Sequence, residues 1–396
     1  MPASPSTARA INDRLALRLL QQEGPLTAGR LKELTGLSRP SVADLVERLT
    51  VAGLVEVVGE SGEQRRGPNA KVYGIVADRA HLAALDVRTE GVSVAVSDLL
   101  GRVLTEASAP IDGGVGTGPA VEQAVALVER AVKEAGVDRP HTVGIGAPGL
   151  IDPATGELRR TSGLPEWHRR LVAALQERFA PARVNVENET NLAALAEQRV
   201  GAARDRDTFV LLWLGIGVGA AVVLDGTLRR GASGGTGEIG FLPVPGTTGL
   251  PSATDCSGGF HTLAGEAAVA ALAAQHGVTA PAVAGEPRGA TLVRAAAETP
   301  AAPHHARFLD TLADRVALGS AAVIAVLDPG CVVLGGEIGR AGGPELAARV
   351  QERLVRMSPL PTEVRAGALG GEAVLRGALL TARDRAQDEL FAPPAR

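Results

Sequence analysis

The stretch TGLSRPSVADLVERLTVAGLVEVV, residues 35–58, decides how the first part of this chain folds. Thr35, Gly36 and Leu37 make a tight turn. Ser38 suits the N-cap of a helix, because its hydroxyl can accept from an amide that the first turn leaves unpaired. Pro40 is tolerated in that first turn. Val42, Leu45, Val46 and Leu49 recur at i, i+3, i+4 and i+7, so one stripe packs inward. Gly53 closes the helix. Towards the N-terminus, Ile11, Leu15 and Leu19 recur every fourth residue and predict the buried face of a first helix, ended by Gly24 and Pro25. Thr27 can cap a second helix that carries Leu31 and Leu34. Towards the C-terminus, the β-prone stretches Leu54–Val58 and Lys71–Val76 flank a polar loop, Gly59–Ala70. Helix, helix, tight turn, helix and hairpin is the order of a winged helix-turn-helix.

Such a module places the N-terminal end of its third helix in the DNA major groove. Ser38, Arg39 and Ser41 then stand nearest base edges, with Asp44 and Arg48 further along the outer face. Arg65, Arg66 and Lys71 lie in or beside the wing, where they can reach phosphates or the minor groove. A three-helix protein-interaction module with a solvated basic loop is the other reading of these residues. Charge favours DNA mildly. Residues 1–80 carry eleven Lys/Arg against nine Asp/Glu, a balance of +2, whereas the whole chain is at −4, leaving −6 for the remainder.

At 396 residues the chain is too long for one ordinary core, and two or three compact units are expected. Only nine residues are aromatic, so Leu, Val and Ala must do the packing. The two cysteines, Cys256 and Cys331, exclude a disulfide framework and a Cys-rich metal site, which fits a reducing cytosol. Met1–Ala10 lacks the apolar run of a signal peptide, and apolar runs such as Ala317–Leu327 are too short to span a bilayer. A cytoplasmic location with no membrane partner is expected.

From His81 the pattern becomes α/β. The β-prone stretches Leu82–Val87, Val92–Ser97 and Arg102–Ala107 precede a helix near Pro119–Ala135 and a strand at Thr142–Gly146. A similar order restarts at Thr208, with strands to Leu214 and at Ala220–Leu224, later helices, and a strand at Cys331–Leu334. Two copies of a meander followed by α and β units imply two related lobes facing a cleft. Ligands of such folds usually sit in that cleft.

Four passages resemble the kinase-like domain of the ROK family (repressor, open reading frame, kinase). They are GIGAPGLIDPATG at 144–156, ENETNLAALAE at 187–197, LGIGVGAAVVLDGTLRRGASGGTGEIG at 214–240 and DPGCVVLGGEI at 328–338. Residues 34–58 are similar to the DNA-binding end of the repressors in that family. The resemblance implies an actin-like, hexokinase-like two-lobe fold and either a sugar kinase or a sugar-responsive repressor, dimeric or tetrameric. It divides the chain into a winged helix-turn-helix at 1–78 and a sensor domain at 79–396. One lobe of the sensor takes about 79–186 plus 373–396, and the other about 187–372.

The same resemblance bears on chemistry. Active family members carry Asp-x-Gly-Gly-Thr in a first phosphate loop, where this chain has Asp86, Val87, Arg88, Thr89 and Glu90. Both glycines are gone, so side chains fill space the phosphates would use, and Glu90 sets a carboxylate against a polyanion. The second loop keeps Gly215, Gly217 and Gly219, but Ile216 stands where kinases have a hydroxyl donor. The catalytic Asp is matched by Glu189, whose extra methylene displaces the carboxylate by about 1 Å, a shift that can cost on the order of 100-fold. The family's zinc site is built from a His, here Phe241, and three cysteines, of which the stretch 254–262 keeps only Cys256. Phe241 is expected to hold this loop by apolar packing. No catalytic residue, cofactor or metal is therefore expected.

The polar groups that match family sugar contacts are Asn188 and Glu238, with Glu189 beside them; Gly163 and Phe241 replace the usual Asn and His. Arg88 could receive a phosphorylated sugar, or pair with Glu90 at the surface. These residues could equally satisfy the backbone of the lobe hinge. The expected function is a repressor that binds double-stranded operator DNA and senses a sugar or sugar derivative. A sugar kinase, or a regulator answering to a protein partner, are the alternatives.

Overall fold

The computed structural model describes residues 5–61, 69–112, 114–159, 164–247, 249–253, 258–283 and 285–392. Arg65 and Arg66 lie outside the described residues, as do Gly163 and Cys256.

The N-terminal unit runs α1 (Pro5–Glu23), β1 (Leu26–Thr27), α2 (Ala28–Thr35), α3 (Arg39–Val51), β2 (Val55–Ser61) and β3 (Ala70–Ile75). The expected caps form. The Thr27 hydroxyl accepts from the Arg30 amide at 3.2 Å, and the Ser38 hydroxyl accepts from the Ser41 amide at 3.3 Å. Gly36 ends α2 with φ +70°, a conformation glycine enters at no steric cost. Leu31, Val42, Leu45, Val46 and Leu49 are buried. The hairpin pairs β2 with β3, and β1 adds a third strand beyond β3. This is a winged helix-turn-helix.

The buried face of α1 is not the expected one. Ile11 is 58% exposed and Leu15 39% exposed, whereas Ala16, Leu17 and Leu20 are buried. The helix carries apolar residues on two overlapping stripes. Which stripe turns inward is settled by what it packs against, here α2 and α3 on one side and the sensor on the other.

One short turn, Ala77–Arg79, leads into the sensor, and the Leu99 amide donates to the Ala77 carbonyl at 3.0 Å. The chain continues as β4 (His81–Arg88), β5 (Gly91–Asp98), β6 (Val103–Pro110), α4 (Thr117–Glu134), β7 (Thr142–Ala147), α5 (Glu166–Arg178), β8 (Arg183–Asn188) and α6 (Glu189–Val200). It then repeats the plan with β9 (Phe209–Leu214), β10 (Val218–Leu224), β11 (Thr227–Arg229), α7 (His261–Ala264), α8 (Glu266–Gln275), α9 (Arg288–Glu298), α10 (Pro303–Leu327), β12 (Cys331–Gly335), α11 (Gly336–Met357), β13 (Glu363–Ala366) and α12 (Ala373–Leu390).

The two sheets have the same topology. One runs β6-β5-β4-β7-β8 and the other β11-β10-β9-β12-β13. In each, the first three strands are antiparallel and the last two join parallel. This duplicated order is that of the actin-like, hexokinase-like fold. The central strands are buried on both faces, and their side chains divide with period two. Along β4, Leu82 and Ala84 join an inner core, while Ala83, Leu85 and Val87 pack outward with α4 and α5. Along β9, Phe209, Leu211 and Trp213 face the inner core, while Val210, Leu212 and Leu214 pack with α8, α9, α10 and α11.

Between the sheets lie α6 and α12, which cross in close contact. A Cβ on Gly377 of α12 would overlap the backbone carbonyl of Leu192 in α6. The inner core runs without a break from these helices into the DNA-binding unit, through Leu379, Ala382, Ala386 and Phe391 to Leu17 and Leu20. Gly377→Ala should therefore force the two helices apart and destabilise the fold by about 1–3 kcal/mol, the usual cost of overpacking. Equilibrium denaturation in urea measures it, and an unchanged midpoint would contradict the close crossing.

Candidate DNA interface and ligand cleft

The cap at Ser38 holds the first turn of α3 outward. Arg39 and Ser41 are exposed there, and the Ser38 and Ser41 hydroxyls lie 2.8 Å apart. Arg39 makes no hydrogen bond to another described residue, so its guanidinium is available. Arg48 is different. It pairs with Asp13 of α1 at 2.6 Å and with Asp44 one turn back. Asp13 comes from a different helix, a partner that periodicity along α3 could not reveal. Arg48 and Asp44 thus brace α3 against α1, and Arg39 stands exposed at the N-terminal end of α3. Lys71 is exposed on β3, opposite Glu60 of β2.

The cleft is built where β4, β8 and α11 end or begin. Arg88, at the end of β4, donates through Nε to Asp86 at 2.9 Å, through one terminal nitrogen to Glu337 at 2.5 Å, and through the other to the Gly371 carbonyl at 3.0 Å. The surface pairing with Glu90 considered for Arg88 does not form, because these three acceptors converge on the guanidinium from both lobes. Burial works against the charged guanidinium, but Asp86 and Glu337 more than offset this and raise its pKa beyond the ordinary Arg range. Glu337 stands at the start of α11, and one of its oxygens would lie 2.7 Å from a Cβ on Gly215. Gly215 is what allows a carboxylate to approach the second glycine turn so closely.

Asn188 serves the backbone. Its side-chain oxygen caps α6 by accepting from the Thr190 and Asn191 amides, and its amide donates to the Gly149 carbonyl at 3.0 Å. Its neighbour Glu187 accepts from Asn191 at 3.0 Å and pairs with Arg230 at 2.6 Å, a second ionic link between the lobes. Neither Glu187 nor Glu337 stood out in the sequence, although both lie within the quoted passages. Their significance is that each faces an arginine distant in the chain.

The side-chain carboxyls of Glu189 and Glu238 accept no hydrogen bond from another described residue. Burial first, and then the negative charge of Asp86, push the Glu189 carboxyl up to about 8; Arg88 opposes this, and Glu337 and Glu238 add to it. The Glu238 side chain is more open, and burial of its carboxyl raises its pKa too. Asp86 is buried, with its Oδ1 unpartnered, and burial raises its pKa despite Arg88. His168, in the first turn of α5, is 2% exposed with both ring nitrogens unpartnered, and burial lowers its pKa to about 4.

Phe241 does not anchor the loop that follows the Gly-Glu-Ile-Gly turn, since it is 36% exposed. Phe260 does this instead. It is fully buried, donates its amide to the Leu242 carbonyl at 2.9 Å, and fits against Gly319 of α10, where any Cβ would meet its ring. Both phenylalanines flank the loop, and contact with α10 decides between them.

Comparison with known proteins places this geometry. Residues 83–385 match the ROK family, and residues 11–67 match the MarR family. The chain belongs to the ROK family. It is 26% identical over 242 residues to the xylose repressor of Caldicellulosiruptor bescii, covering 60% of this chain and 59% of that protein. It is also 26% identical over 244 residues to the DNA-binding transcriptional dual regulator NagC of Escherichia coli, covering 60% and 58%. The chain thus spans rather less than two thirds of the length of the curated relatives it matches. A ROK family transcriptional regulator, a homologue of the E. coli MLC protein, superposes with a TM-score of 0.76 over 97% of this chain and 98% of its own, at 21% identity, which shows the shared fold. A ROK family glucokinase from Streptomyces griseus, solved with glucose and AMPPNP, superposes with a TM-score of 0.63 at 25% identity, over 77% of this chain and 99% of its own.

The two shifted groups act on stability in opposite directions. His168 is held neutral, so its contribution is full above its ordinary pKa of 6.5 and is lost as pH falls towards 4. The loss is on the order of 3 kcal/mol, and His168→Leu should flatten that acid limb. Glu189 holds its proton up to about 8, so between its ordinary 4.5 and 8 the folded chain binds more protons than the unfolded one, and stability falls as pH rises. Thermal unfolding between pH 6.5 and 8 should therefore show a downward slope in the wild type that Glu189→Gln lacks. Parallel slopes in the two proteins would contradict the burial of this carboxyl.

Proposed function

We propose that this chain is a sequence-specific DNA-binding transcriptional repressor whose kinase-like domain senses a carbohydrate without phosphorylating it. The observation that carries the second half of this reading is the Arg88 cluster. Phosphoryl transfer needs a polyanion cradled by backbone amides and cations. Here the first phosphate loop is replaced by an arginine already neutralised by Asp86 and Glu337, and Glu337 leans over the second glycine turn. A nucleotide would have to displace carboxylates from the place its own phosphates need. The sugar side of the cleft is less altered. Glu189 and Glu238 present carboxyls with no hydrogen-bond partner among the described residues, which suits the hydroxyls of a neutral saccharide.

The DNA half rests on the capped α3 with Arg39 exposed at its outer end, and on the names of relatives matched over about 60% of this chain, a xylose repressor and a transcriptional dual regulator. A winged helix of this kind acts in pairs on a palindromic site, so a homodimer or homotetramer is the assembly we infer. Among the described residues no helix is long and apolar enough to cross a membrane.

Double-stranded DNA selected by the wild-type chain from a random library gives the operator. Arg39→Ala should then weaken specific binding by about 1–3 kcal/mol, and Lys71→Ala should weaken all sequences alike and lower the salt slope. Gel-shift titrations in which Arg39→Ala binds like the wild type would remove α3 as the reading helix. In a coupled assay with sugars and ATP, turnover near 1 s⁻¹ or above, ordinary for an enzyme, would instead make the chain a kinase.

A further inference from the structure

We propose that Gln387 is a positioning residue that sets the pose of the DNA-binding unit on the sensor, and that α12 ties it rigidly to the Arg88 cluster in the cleft. This rests on the reading of the chain as a DNA-binding sensor. The two ends of α12 meet different partners. Just before its start, the Gly371 carbonyl accepts from Arg88 at 3.0 Å, and the Leu369 amide donates to the buried Glu197 of α6 at 2.9 Å. Near its other end, the side-chain amide nitrogen of Gln387 donates to the Gln21 side chain of α1 at 2.7 Å and to the Leu99 carbonyl of the β5–β6 turn at 3.0 Å. Asp388 pairs with Arg14, also on α1.

The chemistry of that contact gives Gln387 its role. The apolar residues Leu17 and Leu20 of α1 belong to the same buried cluster as Ala382, Ala386 and Phe391. Apolar contact is non-directional and leaves the angle between two packed units loosely set. A hydrogen bond is directional, and Gln387 is only 8% exposed, so losing its partners leaves a buried amide unsatisfied. Gln387 bonds to the DNA-binding unit and to the sensor at once, which defines one orientation of α1.

The rest follows from geometry. An α-helix of this length is a rod of about 27 Å. It is clamped in its second turn, where Gly377 meets Leu192 and a Cβ on Gly144 of β7 would lie 2.5 Å from the Ala378 carbonyl. Gln387 lies about 15 Å beyond that clamp, so a tilt of about 5° moves it by roughly 1 Å, comparable with the helix shifts that switch other assemblies. The Arg88 bonds to Glu337 of one lobe and to Gly371 at the root of α12 set that tilt. A cleft ligand that pulls Glu337 or Arg88 away releases the root of α12, and α1 moves with its far end.

The test uses the full chain, the DNA selected by the wild type, and four proteins: wild type, Glu337→Gln, Gln387→Leu and the double variant. Glu337→Gln removes one anchor of Arg88 and keeps the Asp86 bond; Arg88→Ala is the second way to break the cluster. We expect Glu337→Gln to change operator affinity by about fivefold or more, within the usual range of allosteric coupling. In the Gln387→Leu background the same substitution should change it by less than about twofold, because α12 no longer grips α1. Equal changes in the two backgrounds, or no change in either, would overturn the relay. Hydrogen exchange read over α1 supplies a measurement without DNA, and breaking the cluster must raise exchange there in the wild-type background and not in Gln387→Leu. If the wild type selects no DNA, the DNA reading fails by itself, and unchanged exchange in α1 then rejects the relay separately.

Discussion

The structure depends on the crossing of α12 over α6. Gly377 brings the α12 backbone onto the Leu192 carbonyl, and Gly144 does the same for β7 against Ala378. Because α12 is the last helix and α6 joins the two sheets, this crossing holds both lobes about a shared axis. The same helix pair carries the inner core, which reaches Phe209 and Leu211 on one side, Leu82 and Ala84 on the other, and Leu17 and Leu20 at the end. Three units that could each have been an independent domain therefore share one apolar surface. A change in the angle between the lobes has a direct mechanical route to the N-terminal unit.

Charge gives the cleft its character. Asp86, Glu189, Glu238 and Glu337 converge, and Arg88 is the cation that faces them. Glu189 responds by retaining its proton, and Asp86 and Glu337 respond by sharing one guanidinium. The Streptomyces griseus glucokinase shares this fold at 25% identity. The scaffold is common to kinases and regulators, and the chemistry lies in the residues placed on it.

Much of the fold was legible along the chain. The caps at Thr27 and Ser38, the stripe Val42, Leu45, Val46 and Leu49, and the repeated meander all rest on interactions within a few residues, where local propensity and period speak clearly. The face of α1 was misread because Ile11 and Leu15 are as apolar as Leu17 and Leu20, and only the docking of the sensor breaks the tie. Phe241 and Phe260 raise the same ambiguity around one loop, and Gly319 on a distant helix resolves it.

The candidate site divides in the same way. Place in a family pattern marked Asn188, Glu189, Glu238 and Arg88, and place along the third helix marked Arg39 and Arg48, because both are properties of the sequence. What each does was decided by tertiary structure. Asn188 caps a helix, Arg48 braces α3 through Asp13, and Arg88 bridges to Glu337 across 249 positions of chain. Glu187 and Gln387 likewise meet partners outside their own elements, Arg230 at 43 positions and Gln21 at 366. The sequence by itself determined the elements and their order, since these follow from local sterics and periodicity, and its resemblance to the family marked the positions where the phosphate-loop glycines are missing. Only the tertiary structure decided which charges meet. Such pairings depend on distances in space that no spacing along the chain encodes.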